Sequence, residues 1–95
     1  MDFEWDEAKN RSNVNKHLIA FDEAVTIFRG KLLTNIDERS DFYEIRFRSL
    51  GRVTLIGGNT VIMVVHTKRD RRTRIISARK ASRRERRKYH EYVQK

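Results

Sequence analysis

The sequence contains no cysteine, no proline and only four glycines. Lack of cysteine excludes disulfides and thiolate metal sites, and a cytoplasmic setting is expected. With glycine confined to Gly30, Gly51, Gly57 and Gly58, no flexible linker divides the chain, so a single domain over residues 1–95 is expected. The longest apolar run, Val61 to Val65, is far shorter than the roughly 20 residues a spanning helix needs. The opening MDFEWDE is acidic and lacks the apolar segment of a signal peptide. No membrane partner is therefore expected. His17, His66 and His90 lie too far apart for ligand spacing, so neither a metal nor another cofactor is expected. Gly57-Gly58-Asn59 lacks the lysine of a phosphate loop, and Ser77 has no nucleophile elbow around it.

What the chain does have is positive charge, unevenly placed. Residues 68–95 carry 13 Lys and Arg against Asp70, Glu85 and Glu91, a net of +10, whereas residues 1–67 are at −1. So one-sided a surface is an electrostatic footprint for a polyanion, and nucleic acid is the first candidate. The excess of Arg over Lys favours phosphate, which a planar guanidinium can grip at two points. The competing reading is a solvated helix with arginines added for solubility.

Periodicity orders the elements. Asp6 to about His17 reads as a helix capped by Asp6, with Lys9, Asn13, Lys16 and His17 on one polar face. Phe21–Phe28 reads as a second helix with a Phe21, Ala24, Val25, Phe28 stripe, stopped by Gly30. Strands are expected at Leu32–Ile36, at Tyr43–Leu50 with Glu44, Arg46 and Arg48 on one face, at Val53–Ile56, at Thr60–Lys68 and at Thr73–Lys80. Gly51-Arg52, Gly57-Gly58-Asn59 and Asp70–Arg72 read as turns. Ser82 with Glu85 forms a capping box for a last helix from about Arg83 to Val93, docked by Tyr89, Tyr92 and Val93. The expectation is an α+β fold with two N-terminal helices, an antiparallel meander of about four strands and a C-terminal helix.

Among reactions on nucleic acid, RNA cleavage asks least of a protein without metal ligands, because RNA carries its own nucleophile. A base takes the 2′-OH proton, cations stabilise the charged phosphorane and an acid protonates the leaving 5′-oxygen. Lys, Arg, His, Glu and Tyr on a basic sheet suffice, and composition alone does not choose among them. Glu44 between the cations of its strand would stay ionised; a cross-strand salt-bridge ladder explains the same pattern.

Three ordered segments then point to one family. FEWDEAKNRSNVNKH at 3–17, FDEAVTIF at 21–28 and RIISARKASRRERRKY at 74–89 resemble the opening, second helix and C-terminal signature of the BrnT toxins. The family usually has Lys-His-Gly before its second helix; here the third residue is Leu18. The resemblance implies a bacterial type II toxin with a RelE-like fold that cleaves RNA and inhibits translation. It also implies a BrnA-like antitoxin partner, with operator DNA contacted only through the antitoxin complex. Carried over, it makes Lys16, His17, Glu44, Arg46, Arg74 and Arg79 catalytic candidates. Arg74 and Arg79 are assigned to phosphate binding, and the proton steps are left open between Lys16, His17 and Glu44. Lys9, Arg48, Thr67, Arg69, Ser77, Lys80, Arg83 and Tyr89 are the RNA-binding candidates. Structural roles compete for several: Asn13 as a turn partner, Ser77 as a sheet hydrogen-bonder, Tyr89 as core. Two other readings use the same basic patch. One is a non-catalytic nucleic-acid-binding module; the other is a scaffold docking an acidic partner.

Overall fold

The computed structural model describes residues 1–94. Its elements are β1 (Phe3–Glu4), α1 (Glu7–His17), α2 (Phe21–Ala24) running into a 3₁₀ turn (Val25–Arg29), β2 (Leu33–Ile36), β3 (Arg46–Leu55), β4 (Gly58–Arg69), β5 (Arg72–Lys80) and α3 (Arg83–Val93). The fold is α+β, as expected, but the sheet is five-stranded and mixed. Its order is β1-β5-β4-β3-β2, antiparallel from β2 to β5, with β1 parallel to β5 at the far edge. Two residues are too few to show alternation, which is why β1 gives no sequence signal.

α1 starts where Asp6 Oδ1 accepts from the backbone N–H groups of Ala8 and Lys9. Those two donors hold its carboxyl below the usual carboxylate range. The helix has almost no apolar face, and Asn13 is its one buried residue. Asn13 Nδ2 donates to Ile19 O and Ala78 O, and its Oδ1 accepts from Ala78 N. The amide thus pairs with the open edge of β5 as a neighbouring strand would, with each bond contributing about 0.5–1.5 kcal/mol net. α1 ends at Leu18, in the left-handed region at φ 60° with its N–H donating to Val14 O. That is a glycine conformation carrying an exposed leucine.

The expected single helix over 21–28 is one α-turn and then 3₁₀. Three residues per turn place Phe21, Ala24 and Ile27 inside, while Val25 and Phe28 are half-buried. Gly51 is not a turn. β3 runs straight through it, paired with Ile62, and a Cβ there would lie 2.6 Å from Ile27 Cβ. The glycine marks a close approach of helix and strand. The strand expected from Tyr43 begins only at Arg46. Asp41 Oδ1 accepts from the N–H groups of Tyr43 and Glu44 and folds that stretch into a turn. Phe42 and Tyr43 are then 95% and 93% exposed.

The sheet has two unlike faces. One packs Val53, Ile62, Val64, Ile75 and Ala78 beneath Ile19, Phe21, Ala24 and Ile27. The other carries a smaller cluster of Leu50, Val61, Met63, Ala81 and Tyr89, covered at one end by α3. β5 serves both because it contains a bulge. Val65 pairs with Ser77 but His66 with Ile75, leaving Ile76 as an extra residue. α3 is capped as its sequence predicts, Ser82 Oγ accepting from Glu85 N and Glu85 Oε1 from Ser82 N. Of its expected stripe, Tyr89 is buried, Val93 is half-buried and Tyr92 is mostly exposed.

Candidate active site

Beyond α3 the second face of the sheet is open, and strand pairing orders its side chains in rows. One row runs Asn35, Arg48, Val65, Ser77; the next runs Leu33, Leu50, Met63, Arg79. His17, from the last turn of α1, and Asp37, Glu38 and Arg39, from the turn after β2, rise around these rows. They enclose a cleft of about 480 Å³, lined also by Arg48, Met63, Val65, Ser77 and Arg79. Three arginines and one histidine thus surround a floor of Met63 and Val65.

Each arginine is held differently. Arg79 donates from Nη1 to Glu85 Oε1 at 2.8 Å and from Nη2 to Glu85 Oε2 at 2.9 Å. Glu85 in turn is held ionised, its pKa lowered to about 2 chiefly by Arg79. The carboxylate that caps α3 therefore also orients a guanidinium of the cleft. Arg39 grips Asp37 through Nε and Nη2 at 3.1 and 2.8 Å. That grip lowers the Asp37 pKa to about 2, although the side chain is buried, and Arg48 adds to the effect. Arg48 is half-buried, and its Nε is the one buried side-chain donor among the described residues without a hydrogen-bond partner. Such an orphan costs about 1–3 kcal/mol.

Of the sequence candidates, His17, Arg48, Ser77 and Arg79 meet in this cleft. A shallower groove of about 200 Å³ adjoins it through His17 and Ser77 and brings in Lys9 and Lys16. The others lie elsewhere. Glu44 pairs with Arg46 at 2.8 Å, outside the cleft lining. Arg74 donates to Glu4 at 2.6 Å, on the β1 side of the sheet. Thr67 is buried, its hydroxyl donating to Ile45 O, and Tyr89 is buried with its hydroxyl donating to Lys31 O. Arg69 ends β4 at the hairpin to β5, and Lys80 and Arg83 are exposed on either side of the turn into α3. Sequence reading missed Asp37 and Arg39. A signal was present in the Asp-x-Arg spacing just after a strand, which lets Asp37 Oδ1 accept from Arg39 N while its carboxylate takes the guanidinium.

His66 is a different kind of histidine. It lies on the helix-covered face between Phe28 and Phe47, with Nε2 2.8 Å from Ser49 Oγ. Burial, reinforced by Lys68, lowers its pKa to about 4. Among the described residues no group of three His, Cys, Asp or Glu side chains could hold a metal ion. No helix among them is long and apolar enough to cross a membrane.

The fold and site define a class of small α+β proteins with arginines converging on an open sheet face, a surface whose charge suits an anionic ligand. Residues 5–85 match the family model described as ribonuclease toxin, BrnT, of type II toxin-antitoxin system, and the chain belongs to that family. No curated protein matches the sequence.

Proposed function

We propose that this toxin cleaves RNA without a metal ion, by attack of the 2′-oxygen on the adjacent phosphorus. The observation that carries the reading is the convergence of His17, Ser77 and three arginines on one cleft. The 2′-O–H proton passes to His17 as the 2′-O–P bond forms. Arg48, Arg79 and Arg39 stabilise the charge that develops on the phosphorane, a task in which fixed cations in a partly desolvated cleft are most effective. The bond from phosphorus to the 5′-oxygen then breaks, and the leaving oxygen takes a proton from a second group. Lys16, which lines the groove beside His17, is the candidate acid. The products are a 2′,3′-cyclic phosphate and a free 5′-hydroxyl. Glu44 is set aside for the proton steps, since Arg46 occupies it. Lys9 and the exposed arginines of α3 steer the strand by charge.

The family reading implies an antitoxin partner, and a BrnA-like protein covering the cleft is proposed here, with operator DNA contacted only through that complex. The proposed setting is the cytoplasm. Incubation of the purified chain with RNA in EDTA tests the reaction: fragments ending in cyclic phosphate are expected. RNA that stays intact while a gel shift still shows binding would sink the enzyme reading and leave a non-catalytic module.

A further inference from the structure

A second, smaller pocket opens beside the cleft, between β2 and α3. It has a volume of about 90 Å³, and Arg48 and Met63 belong to both cavities. Its floor is apolar, formed by Leu33, Leu50 and Met63. Leu50 and Met63 are buried and Leu33 is half-buried. Asn35, exposed on the edge strand, stands at its rim. Glu85 forms another wall, and it is the carboxylate that grips Arg79 of the cleft. Two of the three cleft arginines therefore touch or flank this pocket.

Its chemistry differs from that of the cleft. Arg48 and Lys88 stand at its walls, but the floor of Leu33, Leu50 and Met63 suits the face of a ring better than an anion. Its volume equals that of about three waters in the liquid, enough for part of one flat ring and too little for a docked helix. The amide of Asn35 presents a donor and an acceptor side by side, the pairing that reads the edge of adenine at two points. The row holding Leu33, Leu50 and Met63 lies one step from the row holding Arg48 and Ser77, roughly 7 Å along the strands. A base hangs about that far from its own phosphate.

We propose that this pocket is a nucleobase subsite, in which Leu33, Leu50 and Met63 take the face or edge of one base flanking the phosphate in the cleft and Asn35 reads that base, preferring adenine. The proposal rests on the ribonuclease reading for the identity of the polymer, and adds the source of sequence preference.

The test uses short 2′-O-methyl oligonucleotides, which have no free 2′-hydroxyl and cannot be cleaved. Four that differ only in the base at one position are titrated against the full chain and against Asn35→Ala by fluorescence anisotropy. Unmodified RNA of the same sequences is assayed in parallel for cleavage. Tighter binding of the adenine oligonucleotide, by on the order of 10-fold, is expected for the native chain. Asn35→Ala should bring the four together, with the melting temperature unchanged because the side chain is exposed on an edge strand. Equal binding of all four by the native chain, at every position tried, would overturn the proposal. So would a base preference that survives in Asn35→Ala, and a preference for another base would overturn the assignment to adenine. Failure of the ribonuclease reading appears separately, as unmodified RNA that is bound but not cut.

Discussion

The two faces of the sheet use similar residues to opposite ends. On the helix-covered face Ser49 and His66 are buried, and with Thr34 they form a hydrogen-bonded chain of 2.7 and 2.8 Å links. On the open face Ser77 and His17 line a cleft together with three arginines. A serine and a histidine alone therefore say nothing about chemistry. What separates the pairs is solvent access and the presence of cations with spare donors. On the closed face Thr34, Ser49 and His66 bond to one another, whereas on the open face Arg48 keeps a donor without a partner.

Substitutions on the two faces should separate activity from stability. The largest effect is expected for Arg79→Ala. Cleavage should fall on the order of 100-fold, as when one donor to a developing oxyanion is removed, while Ser82 still caps α3 and the melting temperature moves little. A melting temperature that collapses with unchanged cleavage of the folded fraction would place Arg79 with the structural residues. On the other face, His66→Gln should leave cleavage intact and change only the pH dependence of stability. The unfolded ring takes a proton below its ordinary 6.5, and the folded ring only near 4. Between those values the unfolded state binds more protons, so the native chain should lose stability as pH falls from about 6.5 to about 4, on the order of 2–3 kcal/mol. In His66→Gln that limb should be flat in urea titrations run at a series of pH values. A further loss below pH 4, when Asp37 and Glu85 take up protons, should remain in both proteins. The smallest effect is expected at the boundary between the faces. Leu18→Gly removes a left-handed leucine and should stabilise the chain by about 0.5–1 kcal/mol. That corresponds to roughly 3–6 °C in Tm, read by calorimetry, with His17 left in place.

Elements with their own local chemistry were legible in the sequence. The Asp6 cap, the Ser82–Glu85 box and the β2-to-β5 meander follow from side chains that satisfy backbone groups or alternate in polarity. The misreadings share a cause: at those positions a partner distant in sequence decides. Gly51 looks like a turn until Ile27 leans on it. Tyr43–Ile45 alternates like a strand until Asp41 folds it back. At the site, Arg79 and His17 were visible in matched motifs. Nothing local announced that Arg74, in the same motif as Arg79, would be taken by Glu4.

The extra residue in β5 has a consequence for how this sequence can change. Strict alternation from Ile75 would send Ser77 and Arg79 into the helix-covered core and turn Ala78 toward the cleft. Ile76 shifts the count by one, so Ile75 and Ala78 stay inside while Ser77 and Arg79 reach the cleft. The strand works as a parity counter. Deleting Ile76 would leave those faces as they are, whereas a slip that paired Ile76 with Val65 would turn Ser77 and Arg79 away from the cleft with no change of sequence.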